Sequence, residues 1–243
     1  WNDKITDVWE KRKNIYHNIS TYKFINNGEE KSKDYFCRWL NSILNPIKLN
    51  DISFFLCLNV KTINDIKNKI DEITKGIDAI EIRVDLLETI DKIEEEIHIL
   101  GRYTELPIIY TCRTEQEGGK FNKDNYKEII EIGIKNGVSI IDVELYKKCK
   151  INKRHALIIG SCHYDKWNYL VKNFKHGLLH HDIDILKLVG PNELFNRSKK
   201  LADQLFKKKK IIIAKGDKGK ISRVNNLFMT PVTHPSLNIT AKG

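Results

Sequence analysis

Two stretches decide the fold: ALIIGSCHYD at residues 156–165 and DIDILKLVG at residues 182–190. Each is a short apolar, β-branched run that closes on one reactive side chain, His163 in the first and Lys187 in the second. Polar groups at the carboxyl ends of successive strand-like runs are where barrels of alternating strands and helices keep their chemistry. A lysine in that position is a candidate Schiff-base former.

The alternation extends in both directions. Upstream lie ISFFLCLNV (52–60), IDAIEIRVDLL (77–87), LPIIYTCRT (106–114) and VSIIDVELY (138–146); downstream lie IIIAKG (211–216) and NLFMTPV (226–232). Helix-period stretches separate them, among them TINDIKNKIDEITKG, NYKEIIEIGIKNG and NELFNRSKKLADQLF. Eight strand-like runs alternating with helices predict an α/β fold, a (β/α)8 TIM barrel in preference to an open doubly wound sheet. No GxGxxG follows the first run, which argues against a dinucleotide-binding sheet. A length of 243 residues suits one barrel with a short helical N-terminal extension. The composition shifts near residue 46, and DYFCRWLNSIL before Pro46 reads as part of one or two helices.

Composition narrows the function class. No apolar run approaches the ~20 residues of a membrane span and no secretory leader opens the chain, so we expect no membrane association. The first residue is Trp1, which leads us to expect a piece of a longer polypeptide. Five cysteines, at 37, 57, 112, 149 and 162, form no CxxC pair, which argues against a disulfide framework or zinc site and for a reducing, cytoplasmic setting. The net charge of +10 is scattered, and only 8 of 42 basic residues are arginine, so a nucleic-acid partner is not expected. The one dense run, Lys207 to Lys210, reads as a charged helix C-terminus favoured by the helix dipole.

Charged and polar residues recur at the ends of the runs: Glu81, Arg83 and Asp85; Arg113 and Glu117; Asp142 and Glu144; His163; Lys187; and Ser222 and Arg223. Buried charges cost several kcal/mol each unless paired, so such a ring implies a polar cavity with a purpose. A free lysine, with a pKa near ~10.4, is protonated at pH 7 and must be desolvated or set beside cations to act as a nucleophile. Arg83, Arg113 and Arg223 are the cations expected to do so. His163, with an ordinary pKa near ~6.5, suits a base at neutral pH. Cys162 adjoins His163 and therefore points to the opposite face of a strand, as packing. His180, His181 and Asp182 lack the spacing of a metal site and read as a loop cap. His234 reads as turn structure, and Gly118 with Gly119 as a sharp turn.

Together, IEIRVDLLE, IIYTCRTEQEGGKF, IIDVELY, GSCHYD, DILKLVG and GKISRVNNLFMTPVTHP resemble the type I 3-dehydroquinate dehydratases, in order and over most of the chain. The wording KLVG and TPVTHP resembles the dehydroquinase segment of fungal pentafunctional arom polypeptides. The resemblance implies residues 1–46 as the C-terminal tail of a shikimate kinase-like domain, 47–235 as the dehydratase barrel, and 236–243 as a linker towards a shikimate dehydrogenase-like domain. Within the tail, Arg12 would match a shikimate-contacting arginine. The implied reaction converts 3-dehydroquinate to 3-dehydroshikimate and water without metal or organic cofactor. By the same resemblance Lys187 forms the imine, His163 is general base and acid, and Glu117 is a carboxylate beside it. Glu81, Arg83, Arg113 and Asp142 line the site, and Arg223 grips the substrate carboxylate. Thr240 stands where relatives carry a serine of the closing loop, and the loop's glutamine position lies beyond Gly243. Lys215 stands where relatives tend to carry an uncharged residue. Other domains of the same polypeptide and a homodimer are the implied partners. Two alternatives stay open on the residues alone: a class I aldolase using the same lysine chemistry, and a non-catalytic docking segment of a multienzyme chain.

Overall fold

Eight short strands form one all-parallel sheet: β1 (Phe54–Leu58), β2 (Ala79–Arg83), β3 (Ile108–Thr111), β4 (Ile140–Glu144), β5 (Leu157–His163), β6 (Ile185–Gly190), β7 (Lys209–Ala214) and β8 (Thr230–Val232). A computed structural model describes residues 2–26, 28, 31–45 and 47–237, the side chains of residues 2–5, 17 and 18 excepted. The strand order β7-β6-β5-β4-β3-β2-β1-β8 is that of a nearly closed (β/α)8 barrel, as the alternation predicted.

Parity along the strands sorts the residues into faces. Phe55, Ala79, Ile109, Ile140, Ile159, Ile185 and Ile211 point inward and form the buried floor of the barrel with Phe228 and Met229. The intervening residues point outward onto the helices. Leu56, Ile80, Tyr110 and Ile141 pack with α4 (Ile93–Tyr103) and α5 (Tyr126–Lys135). Cys162, Leu186, Leu188 and Ile212 pack with α6 (Trp167–His180) and α7 (Phe195–Leu205). Adjacent apolar residues on a strand thus face two different cores, which is why each run reads as continuously hydrophobic.

Among the described residues no backbone ladder joins β7 to β8. Pro231 has no N–H to offer a second neighbour, and the Asn226 side chain spans the seam instead. It accepts from the Ile212 N–H at 3.2 Å and donates to Phe228 O at 2.8 Å. The basic run Lys207–Lys210 straddles two elements. Lys207 and Lys210 donate to Asp203 O and Phe206 O at the end of α7, as expected of a basic helix C-terminus, but β7 already begins at Lys209.

The extension forms two helices, α1 (Asn2–Ile19) and α2 (Lys31–Leu44), and α2 packs on α4. Phe24, Tyr35, Trp39 and His98 make an aromatic cluster there. Trp39 donates to Asn136 O at 2.8 Å, and a Cβ at Gly137, whose φ is +77, would lie 2.1 Å from Trp39 Nε1. The composition shift near residue 46 therefore marks no gap in packing. No described helix is long and apolar enough to cross a membrane.

Ile159 is fully buried in the floor layer. Ile159→Ala is expected to lower unfolding free energy by about 2–5 kcal/mol in urea titrations, the range for truncating a buried aliphatic side chain.

Candidate active site

Two residues beyond six of the floor residues the inner face turns polar. Cys57, Glu81, Thr111, Asp142, Ser161 and Lys187 follow Phe55, Ala79, Ile109, Ile140, Ile159 and Ile185 at that spacing. Two residues further on stand Arg83, Arg113, Glu144 and His163. A cavity of about 510 Å³ opens above them, lined by Glu81, Arg83, Arg113, Glu117, His163, Lys187, Lys215 and Arg223 among others.

Lys187 is 6% exposed. Its Nζ lies 3.2 Å from Asp142 Oδ2, 3.4 Å from Glu81 Oε1 and 5.3 Å from the centre of the Phe55 ring below. Burial alone pulls its pKa down, but Glu81 and Asp142 outweigh burial and raise it above the ordinary lysine value. This corrects the expectation that neighbouring arginines free the amine, because the carboxylates lie closer to Nζ than any arginine that could oppose them. Glu81 is in turn held down to about 2: burial works against ionisation, and Lys187, Arg83 and donors from Cys57 and Thr111 overcome it.

Arg113 is the hub of the opposite wall and is 4% exposed. Its Nη2 pairs with Asp142 Oδ1 at 2.9 Å, and its Nη1 donates to Ser161 Oγ at 2.8 Å and to Glu117 Oε2 and Glu144 Oε1 at 3.3 Å. Glu144 also accepts from the Thr114 N–H at 2.9 Å and the Thr114 hydroxyl at 2.7 Å. Arg83 forms a two-point pair with Asp85 at 2.8 Å, and Asp85 accepts the backbone N–H groups of Arg113 and Lys120 at 3.1 Å. Three buried cations, Arg83, Arg113 and Lys187, thus face the carboxylates of Glu81, Asp85, Asp142 and Glu144.

Glu117 would be a fifth carboxylate among them. Burial, with Glu144 and Asp142 nearby, pushes its carboxyl up to about 8, against the pull of Arg113 and the His163 N–H. Its Oε2 lies 3.1 Å from His163 Nδ1 and accepts the His163 backbone N–H at 2.9 Å. The His163 ring is held well below 6.5 by burial and by Arg113, Lys187, Lys215 and Arg83. At 3.1 Å the two groups are close enough for their titrations to be coupled, so their protonation belongs to the pair.

Arg223, on α8 (Lys220–Asn225), reaches the cavity with no ion pair or hydrogen bond to its guanidinium among the described residues. Lys215 lies at the rim, with Nζ 2.9 Å from Asp165 Oδ1. Thr240 lies outside the described residues. The other expected site residues meet at one cavity: Lys187, His163, Glu117, Glu81, Arg83, Arg113 and Arg223 line it, and Asp142 lies beneath, on Lys187. Cys162 faces the outer core, as parity predicted. His181 ties the end of α6 to Lys147 O, and His234 bonds Ser236 within a turn. Gly118 adopts φ +84, whereas Gly119 serves close approach: a Cβ there would lie 2.1 Å from Arg113 O.

Sequence reasoning placed Asp85 and Glu144 in the polar ring without naming their partners, and gave no role to Cys57, Thr111 or Ser161. Stepping by two along each run from the floor residues picks out Cys57, Thr111, Glu144 and Ser161. Asp85 lies beyond β2, and nothing in its spacing announces its four bonds.

A family model described as Type I 3-dehydroquinase matches residues 54–242. The chain belongs to that family. It is 35% identical over 98% of its length to the "Pentafunctional AROM polypeptide" of Komagataella phaffii, and 35% identical over 98% to that of Pneumocystis carinii. It spans only 17% and 18% of those polypeptides. Since the family match begins at residue 54, the likeness to the polypeptides extends into the helical segment ahead of the barrel. Among solved structures, the "Dehydroquinate dehydratase and shikimate dehydrogenase from S. pombe AroM" aligns with TM-score 0.67 and 29% identity, over 82% of this chain and 42% of that one. A 3-dehydroquinate dehydratase from Geobacillus kaustophilus shares the fold with TM-score 0.61 at 19% identity, over 78% of this chain and 87% of its own.

Asp85→Ala is expected to cost this dehydroquinase chain about 3–5 kcal/mol of stability in denaturant titration, because it leaves the Arg83 guanidinium unpaired in a largely buried setting. The double variant Arg83→Leu/Asp85→Leu is expected to recover the part of that loss due to the unpaired guanidinium, while the Arg113 and Lys120 N–H groups stay without their acceptor.

Proposed function

We propose that this dehydroquinase segment dehydrates 3-dehydroquinate to 3-dehydroshikimate through an imine on Lys187, as one unit of a multifunctional cytoplasmic polypeptide. The observation that carries the reading is the setting of Lys187 Nζ: buried between two carboxylates, in a cavity that also holds a histidine–carboxylate pair and Arg223, which has no ion pair among the described residues. Residues 1–46 are then the tail of a preceding kinase-like domain, 47–235 the dehydratase, and 236–243 a linker.

In this reading Arg223 takes the substrate carboxylate and sets the C3 ketone over Lys187. The ammonium first gives its proton to the Glu117–His163 pair in its base form. Attack of the amine on C3 and loss of the ketone oxygen as water, protonated by His163, leave an iminium. Glu81 and Asp142 then face a positive charge at the atom where they already held one, so the charge forms in a preorganised environment. His163 Nε2 removes a C2 proton into the iminium sink, and the same ring protonates the departing C1 hydroxyl. Hydrolysis of the conjugated iminium consumes the water released earlier, so one water is lost overall.

Lys187→Ala is expected to abolish the ultraviolet absorbance rise of the conjugated product while the parent turns over. Borohydride added with substrate is expected to fix an adduct on Lys187, seen by peptide mass. A folded parent that neither turns over nor forms the adduct overturns the reading.

The pair predicts a pH signature. Because Glu117 raises the proton affinity it shares with His163, the parent's kcat/KM is expected to climb until pH approaches about 8. In Glu117→Gln only the depressed ring titrates, so the acid limb is expected to move down below pH 6.5 with a lower plateau.

A further inference from the structure

We infer that Lys215 is the second half of a two-cation clamp for the substrate's carboxylate, acting beside Arg223; this rests on the function proposed above. The residue shares inner-face parity with Ile211 and Ile213 of the floor and lines the cavity with Arg223, His163 and Lys187. Its own backbone N–H continues the β6–β7 pairing to Gly190 O at 2.7 Å, so the base of the side chain is held by the sheet.

The corner that carries both cations is rigid. Ser222, beside Arg223, accepts the Ala214 N–H at 2.8 Å and donates to Gly219 O at 2.6 Å. Gly219 lies so close to the strand end that a Cβ there would approach Ala214 O to 2.4 Å. Residues 214–215 and 222–223 are therefore locked together, and the two long cationic side chains leave one corner for one cavity. Lys187, Arg113 and Arg83 are consumed by buried carboxylates. Lys215 instead pairs with Asp165, which is 83% exposed, and donates more weakly to Tyr164 O at 3.4 Å. An exposed ion pair of this kind is weak, so an incoming carboxylate beside a second cation competes with Asp165 for the ammonium. The ligand class is a compact hydroxylated carboxylic acid, held through its carboxylate by two cations from one side.

The test is calorimetric titration of quinate, whose C3 alcohol cannot form an imine, and of its carboxamide, into the parent, Lys215→Met, Lys215→Arg and Lys218→Met. Lys215→Met is expected to weaken quinate about tenfold, the loss of one charge-assisted hydrogen bond, and to leave the carboxamide unchanged. Lys215→Arg keeps the preference for the acid, and Lys218→Met, removing the same charge from an exposed turn outside the cavity, changes neither ligand. Equal losses for both ligands, no loss for quinate, or no quinate binding by the parent overturns the clamp. Turnover of 3-dehydroquinate by the parent is measured separately, so an intact reaction with an unchanged quinate affinity removes the clamp and leaves the dehydratase standing.

Discussion

The guanidinium of Arg113 is the interaction on which the site depends. It touches side chains from β4, β5 and the turn after β3 at once, so that Asp142, Glu144, Ser161 and Glu117 are all fixed by a single buried cation. Such a charge is tolerated in a barrel interior only when every donor is answered. Its partners are also the partners of the reactive groups: Asp142 holds Lys187, and Glu117 holds His163. Lysine, histidine and scaffold thus share one electrostatic network.

That network carries more carboxylates than cations, and the excess governs the protonation of both reactive groups. It raises the pKa of the Lys187 ammonium above the ordinary lysine value and lifts the Glu117 carboxyl, which is bonded to His163, to about 8. A reactive amine made by cations would be ready but unselective. One held as an ammonium between Glu81 and Asp142 is released only when something takes its proton.

Much of this was legible beforehand. Eight apolar runs separated by helix-period stretches specify strands and helices because the periods differ, 2 against 3.6, and no open sheet is needed to place them. His163 and Lys187 stood out because each closes a run, and parity alone sent Cys162 outward. What failed was the electrostatic inference. Counting three arginines in the sequence suggested a depressed lysine, but attraction scales with distance, and only the folded chain shows Glu81 and Asp142 within hydrogen-bonding reach of Nζ while Arg83 and Arg113 pair with carboxylates of their own.

Alternation and residue type by themselves determined the barrel and the polar ring and singled out His163 and Lys187 as candidates, since these are local properties of each strand. Tertiary structure decided who pairs with whom: that Asp85 anchors a loop 28 and 35 residues away, that Lys215 and Arg223 line one cavity, and that Glu117 bonds to His163. Those facts depend on strand register and on the return of the chain around the barrel, which bring together residues that no period in the sequence connects.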